Sequence, residues 1–252
     1  MMNFETPTDT PLAMTERRRL RRAVILAGGE GLRMRPVTDD RPKAMAEVGG
    51  RPILDHQLSW LRSAGIREVV VSCGYRADVI EAYLGKRESD GLRISMVVEE
   101  DPLGRGGALR FAARSFDGLN GPFLAVNGDV LSDFPVAALL EQHVRLSAMV
   151  TIVVVRFRSN WGVVEVEGSW VRRFEQSPLL PYLGSAGIYC IEPEAVARLP
   201  EKGDLEESTL PRLALEGRLA AFAWDGELHC IDSLKDLRLA ERALGARGVS
   251  SV

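Results

Sequence analysis

The strongest constraint on the fold is an alternation that begins at residue 23, where short apolar segments alternate with longer segments of helical periodicity. The apolar segments are rich in Val, Ile and Leu and are bounded by Gly, Pro or Asp, which is typical of buried strands. Strands that alternate with helices form βαβ units, whose strands run parallel. We therefore predict an α/β fold with a mainly parallel sheet. Predicted strands cover residues 24–27, 68–73, 93–98 and 123–127, and predicted helices lie at 52–65, 77–84, 107–113 and 136–146.

Beyond residue 149 the pattern changes to strands joined by turns, so this half is predicted to be less helical. Predicted strands cover 150–155, 162–166, 170–174 and 187–191, predicted helices 210–216 and 234–244, and a hairpin-like pair 219–223 and 228–231. No internal repeat or low-complexity linker separates the halves. We therefore predict one domain over residues 21–252, with halves at 21–148 and 149–252, after a flexible N-terminal tail at residues 1–20.

Composition excludes several classes of protein. The 252 residues carry 32 Lys and Arg against 35 Asp and Glu, a net charge of −3, and 46% of them are hydrophobic. This is the composition of a globular protein without the basic excess of nucleic-acid-binding domains. No apolar run approaches the ~20 residues of a membrane span. Cys73, Cys190 and Cys230 are far apart and typical of reduced thiols, so we expect a cytoplasmic protein without nucleic-acid or membrane partners.

The segment after the first predicted strand indicates a phosphate-binding loop. Residues 24–36 read VILAGGEGLRMRP, and RPK follows at 41–43. Glycines let the backbone turn tightly and present N–H groups to phosphate oxygens, while Arg33 and Lys43 add positive charge. The segment matches neither the P-loop nor the GxGxxG fingerprint, which argues against kinase-like ATPases and dinucleotide-binding proteins. A tight turn that carries surface arginines is the alternative.

A strand followed by GGxGxR and a downstream RPK resembles the signature of the sugar-1-phosphate nucleotidylyltransferases, or NDP-sugar pyrophosphorylases, most of all their hexose- and heptose-1-phosphate guanylyltransferases. The resemblance extends over residues 23–244. It implies a Rossmann-like nucleotidyltransferase fold with a mixed sheet, in which a sugar phosphate oxygen attacks the α-phosphorus of a nucleoside triphosphate and pyrophosphate leaves. Arg33 and Lys43 match the family's phosphate-contacting pair, while Leu32 replaces a usual Thr. The nucleotide-binding residues implied for this loop are Leu26, Ala27, Gly28, Gly29 and Gly31.

On that resemblance Arg33 would hold the leaving pyrophosphate, and Lys43 would stabilise the charge at the α-phosphoryl group. Residues 99–108, EEDPLGRGGA, are similar to the family's base-binding loop, often ExxPLGTGGA. Gly104 would let the base lie close to the backbone. Glu99 can accept hydrogen bonds from the N1–H and NH₂ of guanine but offers no donor to a uracil or thymine carbonyl, which favours GTP. The alternative is that Glu99 is a solvated charge at a strand end.

Asn127, Gly128 and Asp129 close the fourth apolar strand, at the edge where open α/β sheets bind ligands. Asp129 matches the family's Mg²⁺-binding aspartate, and Asn127 and Gly128 would lie against the nucleotide. A carboxylate combined with triphosphate oxygens and waters is the usual environment of protein-bound Mg²⁺. An Asx-type turn that closes the strand is the alternative reading.

The second metal ligand is predicted from residues 230–236, CIDSLKD, where many members of the family carry DIGTPED. Counting back from Asp236 puts Cys230 on the usual ligand position. Asp232 matches an IDTxKDL variant of the motif and is our candidate ligand. Residues 233–236 fit a helix N-cap equally well.

Four residues are predicted to bind the sugar phosphate. Residues 162–164, GVV, resemble the strand whose glycine approaches the sugar, which is Gly162 here. In residues 174–178, FEQSP, Gln176 replaces a Glu that commonly bonds sugar hydroxyls, and Ser177 replaces a Lys that commonly meets the sugar phosphate. Residues 185–189, SAGIY, place Ser185 where Asn is usual. Three substitutions therefore fall in one predicted pocket.

These substitutions leave two explanations open: a pocket rebuilt for an unusual sugar or cyclitol phosphate, or a homologue that binds nucleotide without turnover. Intact Arg33, Lys43 and Asp129 favour activity, and Arg172 or Arg173 could supply the missing cation. We expect a Mg²⁺-dependent transferase that uses GTP and a hexose or heptose 1-phosphate, with the nucleotide bound by residues 21–148 and the sugar phosphate by 149–252. Another nucleoside triphosphate is the alternative, and assembly into a homo-oligomer is left open.

Overall fold

The structure is a computed structural model that describes residues 19–249, with the side chains of residues 19–245. Residues 1–18 of the predicted tail lie outside this range, while Leu20 at its end is buried in the core. The strands are β1 (Arg22–Leu26), β2 (Glu47–Val48), β3 (Arg51–Pro52), β4 (Glu68–Cys73), β5 (Arg93–Val98), β6 (Phe123–Asn127), β7 (Val130–Ser132), β8 (Val150–Arg158), β9 (Gly162–Glu167), β10 (Trp170–Gln176), β11 (Leu179–Ile191), β12 (Leu219–Ala223) and β13 (Leu228–Cys230). The helices are α1 (Ile53–Ser63), α2 (Ala77–Leu84), α3 (Gly104–Ala113), α4 (Val136–Leu146), α5 (Thr209–Leu215) and α6 (Leu234–Val249).

Seven strands form the central sheet in the order β12-β8-β11-β6-β1-β4-β5. β1 pairs in parallel with β4 and β6, β4 with β5, and β8 with β12. β11 runs antiparallel to both of its neighbours, β6 and β8. The predicted fold class, a mixed and mainly parallel sheet with flanking helices, is confirmed. The sheet also joins strands from both predicted halves of the chain.

Helices cover both faces of the sheet because its strands are apolar on both sides. In β1, Ala23 and Ile25 belong to the core on one face and Val24 to the core on the other. The first face packs against α1, α2 and α4 through residues such as Leu58, and the second against α3 and α5 through residues such as Leu109. A strand buried on both faces reads as a continuous apolar run, which is why the sequence located it.

The predicted hairpin of residues 219–223 and 228–231 is wrong. β12 pairs in parallel with β8, with Leu219 opposite Val150, while β13 pairs antiparallel with β7, with Cys230 opposite Val130. Both segments have partners distant in sequence, so their short connection does not make a hairpin. β11 is also longer than predicted and begins at Leu179, because its exposed first half lacks the continuous apolar run of its buried second half.

A third, smaller core connects the chain after the glycine loop to the C-terminal helix. Met34 packs there with Ile53 of α1, Ile231, and Leu237 of α6. This packing brings the segment after β13 next to the carboxyl ends of the parallel strands. Across residues 19–249, no helix has both the length and the apolar character needed to cross a bilayer.

Candidate active site

A cleft of about 1020 Å³ opens at the carboxyl ends of β1, β4, β5 and β6, and the loop after each of these strands lines it. Parallel strands end on the same side of a sheet, so loops far apart in sequence meet there. The predicted site residues that line the cleft are Leu26, Ala27, Gly28, Gly29, Gly31, Arg33, Lys43, Glu99, Gly104, Asn127, Gly128, Asp129, Ser185 and Asp232.

The glycine loop packs directly against Lys43. The hydroxyl of Thr38 donates to the carbonyl of Gly31 at 2.8 Å, and the N–H of Lys43 donates to the carbonyl of Gly29 at 3.2 Å. Gly31 has a φ of +68°, and a Cβ added there would lie 3.1 Å from the Cβ of Lys43. Both the backbone conformation and the close contact therefore require glycine at this position.

Lys43 lies at the centre of an ion cluster. Its Nζ is 2.5 Å from Oδ2 of Asp129 and 2.5 Å from Oδ1 of Asp232. The guanidinium of Arg33 lies 2.9 Å from the same oxygen of Asp232. The side chain of Lys43 is only 14% exposed, whereas that of Arg33 is 73% exposed. Two cations thus balance two carboxylates, and Arg33 has the most room to turn toward a ligand.

This cluster shifts two pKa values. Burial lowers the pKa of Lys43, but the charges and hydrogen bonds of Asp129 and Asp232 more than offset burial, so the pKa lies above its usual value of 10.5. Burial raises the pKa of Asp232, but Lys43 and Arg33 lower it by more, so it lies below its usual value. At neutral pH the cluster therefore holds an ammonium beside an ionised Asp232.

Hydrogen bonds from Gln57 and Ile231 fix the turn that carries Asp129. The buried side chain of Gln57 donates from Nε2 to the carbonyls of Asn127 at 2.8 Å and Val130 at 2.9 Å, on either side of Asp129. The N–H of Ile231 donates to the carbonyl of Asp129 at 2.9 Å. These bonds position the carboxylate in the cleft. Gln57 was not predicted from the sequence, because a buried glutamine on an apolar helix face has no local partner to reveal its role.

The two interpretations of residues 230–236 are compatible. The hydroxyl of Ser233 donates to Oδ2 of Asp236 at 2.7 Å, and the N–H of Asp236 donates back to Ser233 Oγ at 3.3 Å. This is a reciprocal cap at the start of α6. Asp232 precedes the cap and faces Lys43, and Cys230 lines the same cleft.

The carboxylate of Glu99 faces the glycine loop across the cleft. Its Oε2 accepts from the N–H of Leu103 at 2.9 Å, and its Oε1 accepts from the hydroxyl of Ser72 at 3.4 Å. A Cβ added to Gly28 would lie 3.3 Å from Oε1. A carboxylate oxygen can accept two hydrogen bonds, so Glu99 keeps capacity for donors of a ligand.

Gly104 has a second function besides the predicted approach of a base. Its φ is +74°, and an added Cβ would lie 2.8 Å from the backbone of Gly203. The carbonyl of Gly203 accepts from the N–H groups of Gly106 at 2.9 Å and Gly107 at 3.2 Å. The first turn of α3 is therefore packed against, and capped by, the loop before α5.

Three predicted sugar-phosphate residues do not line the cleft, in contrast to Ser185. Gly162, Gln176 and Ser177 lie on or next to the two-stranded sheet of β9 and β10, in which Gly162 pairs with Gln176. Ser177 has a φ of +52°, and its carbonyl accepts from the guanidinium of Arg158 at 3.1 Å. Their predicted contact with an acceptor stays a prediction.

The structure does not place Arg172 or Arg173, the two possible replacements for the missing cation, at the cleft. Arg172 pairs with Glu167 at 2.7 Å, and Arg173 pairs with Glu165 at 3.4 Å and Glu175 at 3.0 Å. Both guanidinium groups are satisfied within the exposed β9–β10 sheet, because acidic residues face them on the same two strands. Neither residue lines the cleft.

Residues that were not predicted from the sequence also line the cleft. Tyr75, which follows β4, and Arg105 in the first turn of α3 line the cleft, and so does Asp204 before α5. Arg105 stands where the resembled family motif usually has Thr, which was a readable signal. Asp204 belongs to no motif, and only the packing of its loop on α3 places it here.

The donor set at the cluster fits one hard cation. Among residues 19–249, no group of three or more His, Cys, Asp or Glu is arranged to hold a metal ion. Asp129 and Asp232 nevertheless each direct one oxygen at the same cation, the ammonium of Lys43. Mg²⁺ typically takes one or two carboxylates and completes its shell with water and substrate phosphates. This pair therefore fits a Mg²⁺ ion that arrives with a triphosphate.

The fold and the cleft together define a class of protein. Glycine-rich backbone, a buried lysine and two carboxylates meet at the carboxyl ends of parallel strands, as in α/β proteins that bind nucleoside phosphates. The chain belongs to the nucleotidyl transferase family, whose profile matches residues 22–225.

Comparison with known proteins gives curated relatives that are named mannose-1-phosphate guanyltransferases or guanylyltransferases. The mannose-1-phosphate guanyltransferase of Aspergillus fumigatus is 35% identical over 225 residues, which are 85% of this chain and 62% of that protein. The mannose-1-phosphate guanylyltransferase catalytic subunit beta of Xenopus tropicalis is 33% identical over 223 residues, 85% of this chain and 62% of its own length. The chain thus spans less than two thirds of these curated relatives.

The solved structure of HddC from Yersinia pseudotuberculosis has a TM-score of 0.72 and 25% identity, and it covers 89% of this chain and 100% of that chain. A structure of HddC complexed with GMP-PN superimposes with a TM-score of 0.69 at 23% identity, with the same coverage. Both support the fold described above.

Proposed function

We propose that this chain transfers the guanylyl group of GTP to a hexose or heptose 1-phosphate, which gives a GDP-sugar and pyrophosphate. The observation that carries the proposal is the position of Lys43, whose Nζ lies 2.5 Å from both Asp129 and Asp232 in the cleft formed by the glycine loop and the loop of Glu99. The names of the curated relatives, mannose-1-phosphate guanylyltransferases, support both the nucleotide and the type of acceptor.

In the proposed reaction, a phosphate oxygen of the acceptor forms a bond to the α-phosphorus of GTP. The bond from that phosphorus to the bridging oxygen breaks, and pyrophosphate leaves with the electron pair. Lys43 stabilises the negative charge around the α-phosphoryl group, and the exposed Arg33 turns to hold the leaving pyrophosphate. Backbone N–H groups of the glycine loop bind the phosphates, so the chain contributes position and charge.

Asp129 and Asp232 are the proposed ligands of Mg²⁺, which when bound would neutralise part of the triphosphate charge. Each carboxylate contacts Lys43 through one oxygen in the described structure, so a bound metal would compete with the ammonium for these two groups. An ammonium released from either carboxylate would be available to the phosphates.

The proposal also includes a cytoplasmic location and small-molecule substrates. A second candidate, a nucleotide-binding homologue without turnover, is favoured by one observation: Ser177 stands where the resembled motif has a phosphate-binding Lys, and neither Arg172 nor Arg173 replaces that charge at the cleft.

Thermal denaturation with ATP, GTP, CTP, UTP and dTTP, with and without Mg²⁺, tests the nucleotide. GTP at 100 times its dissociation constant is expected to stabilise the protein by about 2.7 kcal/mol, and only with Mg²⁺ present. Pyrophosphate release with GTP and a panel of sugar 1-phosphates then separates the two candidate functions. Selective stabilisation by another nucleotide would contradict the choice of GTP, and binding without pyrophosphate release would favour the inactive homologue.

The variant Glu99→Gln is expected to lower the preference for GTP over ATP by about tenfold, because an amide accepts at one atom only and presents a donor to guanine at the other. The preference is measured as the ratio of dissociation constants. Glu100→Gln is the matched control, since exposed Glu100 lines the same cleft and loses the same charge. Equal losses in the two variants would show that Glu99 acts through general charge and not through base recognition.

A further inference from the structure

A charged cluster on the wall of this cleft has no part in the roles described so far. Arg105 donates from its backbone N–H and its Nε to Oδ1 of Asp204 at 2.8 and 3.3 Å, and from Nη2 to Oδ2 at 3.1 Å. Its Nη1 lies 3.0 Å from Oε1 of Glu206. Arg105 and Asp204 line the cleft, with side chains 47% and 30% exposed. A ligand in the cleft can therefore reach both.

The cluster is connected to the part of the cleft next to β11. Oε1 of Glu206 accepts from the hydroxyl of Tyr189 at 2.9 Å, and that hydroxyl lies 3.4 Å from the hydroxyl of Ser185. Two residues beyond Ser185, a Cβ added to Gly187 would lie 2.6 Å from the side-chain nitrogen of Asn127. The chain of polar groups therefore leads from the loop before α5 toward the turn of Asp129.

The charges of the cluster restrict what can bind there. One guanidinium faces two carboxylates, and Oε2 of Glu206 is buried without a hydrogen bond from any residue in the described range. An additional anionic group would meet this excess negative charge, whereas a hydroxyl can donate to Asp204 and accept from Arg105. The arrangement suits a neutral ligand that carries several hydroxyl groups. A sugar ring is such a ligand.

We propose that Arg105 and Asp204 recognise hydroxyl groups of the acceptor and so select uncharged sugar 1-phosphates over those whose ring carries a carboxylate. The inference rests on the proposed function and names the substrate class of the same site. Glu206 and Tyr189 act behind this pair and position Arg105 toward the cleft. Arg105 is thus assigned to acceptor specificity, in addition to its packing on the loop before α5.

The test compares Arg105→Ala and Asp204→Asn with the unmodified protein in pyrophosphate release, with GTP and with mannose, glucose or glucuronic acid 1-phosphate as acceptors. In both variants the KM of the preferred neutral acceptor is expected to rise about tenfold or more, because each loses a charge-assisted hydrogen bond. The KM of GTP is expected to change less than about twofold. The ratio of kcat/KM between mannose and glucose 1-phosphate is expected to move toward one, which a merely structural role would not cause.

Arg110→Ala is the matched control. Arg110 also ties α3 to the loop before α5, through Leu199 at 2.6 Å and Glu201 at 3.4 Å, but it does not line the cleft. If Arg105→Ala fails to fold, Asp204→Asn decides alone, since it keeps the shape of the side chain. The inference would be overturned if the ratio of kcat/KM between acceptors stayed unchanged in the variants, or if it changed equally in Arg110→Ala. It would also be overturned if the unmodified protein preferred glucuronic acid 1-phosphate. If the unmodified protein released no pyrophosphate from GTP with any of the acceptors, the proposed function itself would be wrong.

Discussion

Lys43→Ala is expected to reduce pyrophosphate release by about 10²-fold or more, because the variant loses the cation that stabilises charge at the α-phosphoryl group. The pKa of Lys43 lies above its usual value of 10.5, so this residue is protonated throughout the neutral and mildly alkaline range. Its ion pairs therefore contribute fully to stability below pH 10.5, the usual pKa of lysine. That contribution is lost only as the pH rises through the higher pKa of the folded protein. We expect no loss of rate from Lys43 deprotonation between about pH 6 and 9.

The same variant has a second readout that does not depend on turnover. Without the ammonium, Asp129 and Asp232 lose the cation at which both point, each at 2.5 Å in the unmodified protein. Mg²⁺ without nucleotide is therefore expected to raise the melting temperature of Lys43→Ala more than that of the unmodified protein. Lys86→Ala, at an exposed site beyond α2, is the control for loss of one positive charge. Turnover retained in Lys43→Ala would remove this residue from the mechanism.

Asp129→Asn is expected to lower turnover by about 10²- to 10³-fold, since a preorganised charge in the cleft is lost while the shape of the side chain is kept. Gln57 and Ile231 hold the backbone around Asp129 through hydrogen bonds that the substitution does not remove, so the variant should fold as before. The Mg²⁺ concentration for half-maximal rate is expected to rise about tenfold, because a neutral amide is a weaker ligand than a carboxylate.

The Mg²⁺ titration distinguishes a metal ligand from a residue that only pairs with Lys43. If Asp129 acted solely on Lys43, the rate would fall with no change in the Mg²⁺ requirement, and the metal assignment would be wrong. Asp117→Asn is a suitable control, because it removes the same charge between α3 and β6, at an exposed position outside the cleft.

Much of the fold was readable from local patterns. β4, β5, β6, α2 and α4 have the predicted bounds, because continuous apolar runs and helical periodicity are properties of a few adjacent residues. The glycine loop, Glu99 and the Asn127–Asp129 turn were located in the same way, since each follows a strand directly. The rule that parallel strands end on one side of the sheet was sufficient to place these segments in one cleft.

The α/β class, the family resemblance and the short segments that line the cleft are predictable from the sequence, since these depend on residue types at fixed local spacing. The contacts between distant groups are visible only in the folded chain. Folding brings Asp232 to Lys43 across 189 residues and Asp204 to Arg105 across 99, and it separates β12 from β13 despite their short connection. Such contacts depend on strand pairing and on the burial of Met34, Ile231 and Leu237 in one core, which no local spacing encodes.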